Sequence, residues 1–520
     1  MKNLQVLPAA GLRLSVPLPG RLLPAGLRPA VLQLACLLLL AGLLLFSAGA
    51  RAEITLPSII GNNMVLQRQT DAALWGKADA NAQVTVITSW NEKKYSVKAD
   101  AEGNWRLKVQ TPAAGGPYEI SFRESDGDRS RKGDRENGAS ITLSNVLIGE
   151  VWVCSGQSNM EMPLKGYRNQ PILNANEILT TANEPMIRLF HLERAASATE
   201  LFDCKGAWEV SSSGSAVTFS AVAFQFAKKL HEILGVPVGV IQSGWGGTPI
   251  EAWTDKESLA SVPNVELPLP SDSVEAGRLV STCLYNGMIA PIAGFGIKGF
   301  LWYQGEANRA RPEQYAQLME AMVSGWRREW GNDSLAFYYA QIAPYEYPSH
   351  AATVPYLREA QLKAMDLIPF SGMAVSMDVG SPTTIHPPDK TTIAERLLYW
   401  ALAKTYKMEG IACEGPVYES MEIDGNKAFL TFKNAASGFA MEEDGFSCFE
   451  IAGADKKFYP AAAKISKKGI LVQSDKVEKP VAVRYAFKDW VEGDLYNTAG
   501  LPASSFRTDN WPAEPTKPAE

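Results

Sequence analysis

The sequence predicts an α/β protein: a doubly wound, mostly parallel sheet, preceded by an N-terminal β-sandwich and closed by a small C-terminal β domain. Three observations carry this. Residues 53–145 are short alternating runs (NMVLQ, AALWG, AQVTVITSW, KKYSVKA, NWRLKV, YEISF, ASITL) separated by Gly, Asn, Asp and Pro, the period-two pattern of half-buried antiparallel strands. Residues 146–407 alternate apolar runs (VLIGEVWVCS, VPVGVIQS, IKGFLWYQ, LAFYYAQI, GMAVSMD) with amphipathic patterns (FSAVAFQFAKKLHEIL, PEQYAQLMEAMVSGWRREW, YLREAQLKAMDLI, KTTIAERLLYWALAKTY). Buried strands between helices imply a parallel sheet with both faces covered. In residues 408–520 the helices stop and GNKAFLTF, SCFEIAG, KISKKGILVQS and PVAVRYAF return to strand character. Ligands of open α/β sheets bind at the carboxyl ends of the strands, so those loops are where chemistry is sought.

Residues 1–52 stand apart. Lys2, Arg13, Arg21 and Arg28 precede an apolar stretch at 31–46, and Ala50-Arg51-Ala52 follows. This predicts a signal peptide cleaved after Ala52 and a secreted, periplasmic or cell-surface protein. An uncleaved anchor is the alternative, since the uncharged stretch 29–50 nearly spans a bilayer. The leader holds five Lys/Arg and no acid, so losing it moves the formal charge from −6 to −11. So acidic a chain argues against nucleic acid and anionic membranes, both of which need clustered cations. The segment ESDGDRSRKGDRENG nearly balances its charges and reads as a long hairpin loop. Beyond the leader the cysteines are Cys154, Cys204, Cys283, Cys413 and Cys448, with no C-x-x-C pair. They read as scattered core thiols rather than a metal site.

Ser155-Gly156-Gln157-Ser158-Asn159-Met160 follows the strand EVWVC, which puts Ser158 at a strand's carboxyl end. Met160 stands where the second glycine of a G-x-S-x-G elbow belongs, so a different hydrolase scaffold is indicated. A serine nucleophile needs a base, ordinarily histidine. Of four histidines, His231 falls on the polar side of a helix, His350 in the loop YPSHAA, and His191 in RLFHLE, where a partly buried structural role is expected. His386 differs, because it lies in a loop after the strand GMAVSMD and before a helix. The strand IKGFLW ends in Gln304-Gly305-Glu306-Ala307-Asn308. There Glu306 can orient His386, and Gln304 or Asn308 can donate to an oxyanion. Backbone N–H groups of Gly244-Trp245-Gly246-Gly247, after VGVIQS, can complete that hole. Polar turns without catalytic function are the plainer reading of each loop alone.

Together CSGQSNMEMPL, GWGGTPIEAW, WYQGEAN and IHPPDK resemble the sialate O-acetylesterase family, a branch of the SGNH hydrolases. The likeness runs from LPSIIGNNMVLQR to VAVRYAF and GLPASSFRTDNWP. It implies an SGNH-type catalytic domain and a metal- and cofactor-independent serine esterase. Its expected partner is an O-acetylated sugar, 9-O-acetylated sialic acid first and acetylated xylan or another polysaccharide as the alternative. By the resemblance Ser158 is the nucleophile, His386 the base, and Gly247 (or Gly246) and Asn308 (or Gln304) the oxyanion donors. Gln157, Asn159, Trp245 and Arg309 are the substrate-contact candidates, Arg309 as partner for a sialate carboxylate. Many relatives carry an Asp three residues before the histidine, where this chain has Thr383, and Thr384 follows. The acid is therefore sought elsewhere, at Glu306 first and Asp378 second. A non-catalytic sugar-binding protein is the rival of another class, its 13 tryptophans stacking on sugar rings.

Exported protein is expected to begin at Glu53 on N-terminal sequencing, and a start at Met1 would contradict cleavage.

Overall fold

The computed structural model describes residues 54–125, 140–265, 277–348, 353–440 and 445–512. The leader, most of the charged segment, His350 and residues 513–520 lie outside them. Thirteen strands lead to the site: β1 (Val65–Gln67), β2 (Asp71–Lys77), β3 (Gln83–Thr88), β4 (Lys94–Lys98), β5 (Asn104–Gln110), β6 (Gly115–Ser125), β7 (Ser140–Gly156), β8 (Ile187–His191), β9 (Trp208–Val210), β10 (Val238–Gly244), β11 (Gly299–Tyr303), β12 (Ala336–Ala340) and β13 (Ser371–Ala374). The central sheet runs β13-β12-β11-β7-β10-β8-β9. Every pairing in it is parallel except β8 with β9. Strands β10, β11 and β12 are buried at every position, which is why they read as unbroken apolar runs.

Helices cover both faces. Ala221–Leu234 and Lys390–Trp400 bury Phe224, Phe226, Leu230, Ile393 and Leu397 against one side. Pro312–Trp330 and Val354–Leu367 bury Tyr315, Trp326, Leu357 and Ala364 against the other. Trp152, Trp253, Trp302 and Trp326 are fully buried, so these four are core residues rather than sugar platforms.

The expected boundary at 145/146 falls inside a single strand. From Ser140 onward, the two expected strands ASITL and VLIGEVWVCS are one 17-residue strand, β7. Its first half pairs antiparallel with β6 and its middle parallel with β1, while its second half pairs with β10 and β11. The N-terminal strands and one face of the central sheet therefore share a core, from Val84 and Phe122 to Trp253 and Phe337. At the other end KISKKGILVQS is a hairpin of two strands, Ala462–Ser466 and Gly469–Gln473. With Val417–Asp424 and Lys427–Lys433 they form one four-stranded sheet, and Phe458–Pro460, Phe449–Ala452, Ala482–Tyr485 and Phe506–Arg507 form a second. The strand expected over GMAVSMD stops at Ala374, and Met377 turns into the core of these C-terminal sheets.

β7 is flanked by β10 on one side and β11 on the other, so connections leave it in opposite directions and open a crevice at its carboxyl end. Gly156 closes the strand level with Gly244 and Tyr303. Its φ is +141°, and a Cβ there would lie 2.2 Å from the Tyr303 carbonyl oxygen. Gly156→Ala is therefore expected to cost about 3 kcal/mol or more, read as a lower midpoint in denaturant unfolding.

Candidate active site

The turn out of β7 is made by Gln157, whose N–H donates to Tyr303 O at 3.0 Å and whose carbonyl accepts from Met160 and Glu161. Ser158 begins the short helix Ser158–Glu161, so its own backbone N–H has no intrahelical acceptor. The Ser158 hydroxyl lies 2.7 Å from His386 Nε2. Residues 228 apart in sequence thus meet at proton-transfer distance. Burial, then the nearby Lys390 charge, push the His386 imidazole down to about 4, so it is neutral near pH 7. A neutral imidazole at this distance can accept the hydroxyl proton.

The structure does not bring either expected acid to His386. Its Nδ1 lies 2.5 Å from Gln170 Oε1. Asp378 is held by Arg396 through two contacts of 2.6 Å, because it leaves β13 toward the helix Lys390–Trp400. Glu306 is buried and accepts from Asn159 Nδ2 at 2.6 Å. Asn159 also donates to Ile385 O at 3.1 Å and accepts from Lys390 Nζ at 2.5 Å. The chain Lys390–Asn159–Glu306 thereby ties the serine, glutamate and histidine loops together. Burial pushes Lys390 down to about 7 and Glu306 up, each offset by the other's charge. With its amide consumed in this chain and 1% exposed, Asn159 is not free to contact substrate. Gln157 is likewise buried, its Oε1 accepting from Gly305 and Ala307 N–H at 3.4 and 3.3 Å.

The oxyanion candidates divide. Gln304 spends both amide hydrogens on Thr248 O and Asn308 Oδ1, and its Oε1 accepts from Tyr315. It is fully buried and serves to position Asn308. Asn308 accepts from Ile250 N and donates one amide hydrogen to Glu251 Oε2 at 2.8 Å, leaving the other. Glu251 is fixed in turn by Arg311 at 2.7 Å. The Gly246 N–H donates to Glu161 Oε2 at 2.9 Å, and its Cα faces Ser158 closely enough that a Cβ would lie 3.1 Å from Ser158 Cβ. Gly247, with φ +72°, opens outward. Gly247, Asn308 and the Ser158 N–H are the donors this arrangement leaves available.

Trp245 is half-buried beneath the Arg194 guanidinium, 5.7 Å from its ring centre. Arg309 donates to Glu306 O at 3.2 Å and stacks 4.6 Å from the Tyr347 ring centre. The cation lining the cleft beside His386 is instead Arg168. That cleft, about 510 Å³, is also walled by Gln170, Ser381, Thr383 and Thr384.

The other histidines take different places. His231, in the last turn of its helix, bonds Val236 O just beyond that helix at 2.7 Å, and His191 ends β8 with its ring edge-on to Phe219, centres 6.3 Å apart, where burial pushes its imidazole down. The cysteines among the described residues are unpaired. Sequence reasoning missed Glu161, Glu251, Lys390 and Gln170. The first three stand inside the quoted motifs, where a charged residue beside an expected buried loop was the available signal, whereas Gln170 lies in none of them.

Asn159→Leu strands a buried ammonium and a buried carboxyl, and is expected to cost about 3 kcal/mol or more. Glu306→Gln with Lys390→Met removes both charges and should cost less, as read from denaturant midpoints.

Residues 148–403 match the carbohydrate esterase family of sialic acid-specific acetylesterases. A Homo sapiens protein named sialate O-acetylesterase is 30% identical over 511 residues, covering 89% of this chain and 94% of that protein. A Rattus norvegicus protein of the same name is 28% identical over 530 residues, covering 88% and 95%. Among solved structures, a carbohydrate acetylesterase from Xanthomonas citri is 34% identical with TM-score 0.78, covering 88% of this chain and all of that one. With its fold and its serine–histidine pair set beside these likenesses, the chain belongs to the sialate O-acetylesterase family of carboxylic ester hydrolases.

Proposed function

We propose that the protein removes O-acetyl groups from sugars through an acetyl-serine intermediate, with Ser158 as nucleophile and His386 as general base. The 2.7 Å contact between Ser158 Oγ and His386 Nε2 at the end of β7 carries this reading. His386 takes the hydroxyl proton as Ser158 Oγ attacks the acetyl carbonyl. Gly247, Asn308 and the Ser158 N–H donate to the oxyanion. The imidazolium then protonates the departing sugar oxygen, and water activated by the same imidazole releases acetate. Each oxyanion donor contributes on the order of 3 kcal/mol.

A 9-O-acetylated sialic acid is the preferred substrate in this reading. Arg168 on the cleft wall supports it, because a guanidinium pairs with a sugar carboxylate. Neutral acetylated polysaccharides are the second reading, favoured by the otherwise uncharged polar wall of Gln170, Ser381, Thr383 and Thr384. The basic and apolar leader supports action after export, in the periplasm or at the cell surface.

Ser158→Ala is expected to bind substrate and release no acetate, and retained turnover would refute the nucleophile. Chelators should leave wild-type turnover unchanged. Arg168→Ala should raise KM about tenfold or more for a 9-O-acetyl sialoside while sparing acetylated xylo-oligosaccharide; equal effects on both would remove the sialate preference.

A further inference from the structure

We propose that Gln170 is the positioning residue that takes the place of the triad acid, its side-chain carbonyl holding the Nδ1 face of His386 so that Nε2 points at Ser158. The inference rests on the proposed serine mechanism and assigns a role that mechanism leaves empty. For Nε2 to accept the Ser158 proton, the neutral ring must carry its hydrogen on Nδ1, and that hydrogen needs an acceptor. Gln170 Oε1, 2.5 Å away, is that acceptor. On proton transfer the Ser158 hydrogen moves to Nε2, the ring becomes an imidazolium, and the Nδ1 hydrogen stays in its bond to Gln170. Charge is conserved without a carboxylate.

No other group described near the ring competes for this place. Thr384 accepts from the His386 backbone N–H at 3.2 Å. Thr383 is exposed and bonded to Ser381. Glu306 and Asp378 are committed to Asn159 and Arg396.

Gln170 also has a fixed platform. Tyr167 and Gln170 exchange backbone hydrogen bonds of 3.0 Å across a tight turn. Gly166, at φ +73°, allows the close approach, since a Cβ there would lie 2.4 Å from Gln170 O. Leu173 N donates to Pro388 O at 3.0 Å, which pins the segment to the histidine loop. The same turn sends the Tyr167 ring edge-on to His386, centres 5.3 Å apart, and its hydroxyl to Ser158 O at 3.3 Å. Two residues of one turn thus grip the imidazole from two sides. The charged and titratable groups around it are Lys390 below, Tyr167 with Glu161 and Arg194 on the serine side, Arg168 at the cleft wall, and Asp389, which caps the following helix.

The test uses purified full-length protein, p-nitrophenyl acetate and acetate release across pH, with melting temperature as the fold control. Gln170→Ala is expected to lower kcat about 10- to 100-fold with KM within about twofold, the loss of one hydrogen bond to a charged ring. Gln170→Glu puts a carboxylate in the same place. It favours the protonated ring and should move the acidic limb of kcat/KM upward by about 1–3 pH units. Wild-type kcat in Gln170→Ala, or an unmoved acidic limb in Gln170→Glu, would overturn the assignment. Activity remaining in Ser158→Ala would instead remove the serine mechanism itself, so the two failures are separable.

Discussion

The 2.7 Å contact between Ser158 Oγ and His386 Nε2 constrains most of the surrounding architecture. The serine must leave a buried central strand at a sharp angle, which requires the glycine at 156 and the immediate start of a helix. The histidine must come back across the sheet edge from beyond β13. Asn159 provides the link, since it neighbours the serine and bonds the carbonyl of the residue before the histidine. The buried Lys390–Asn159–Glu306 chain is therefore best understood as scaffold for the pair, at the desolvation cost that buried ionisable groups carry.

The electrostatics follow from the same burial. Removing the imidazole from water and setting a lysine near it both oppose its protonation, so the base is available over a wide pH range. That availability has a counterpart. A base so reluctant to be charged is a weaker proton acceptor, and in the proposed mechanism the oxyanion donors and an amide, rather than an acid, at Nδ1 compensate. The proposed mechanism shares with other serine and cysteine hydrolases the logic of nucleophile, base and orienting group, while differing in the charge of the third member.

The parts legible in the sequence share one property: a local pattern reports them. Fully buried strands read as apolar runs, the helix Pro312–Trp330 was bounded by its own periodicity, and Ser158 and His386 stood beside strand ends. What stayed hidden depends on long-range pairing. Nothing local distinguishes two strands from the single β7 that serves two sheets. Glu306 and Asp378 had suitable chemistry and suitable edges, but their partners, Asn159 and Arg396, are set by tertiary packing. Gln170 sits on a surface turn with no motif, and an amide carries no charge signal that would single it out.

Activation of Ser158 by a desolvated, neutral imidazole is the central claim, and it is directly measurable. A fluorophosphonate reagent measures this, with the modified residue found by peptide mass spectrometry and the labelling rate followed against pH. Modification is expected at Ser158 alone, at a rate that falls on acidification only as His386 gains its proton at about 4. Labelling at another residue, or a rate already halved near the ordinary histidine value of about 6.5, would contradict it.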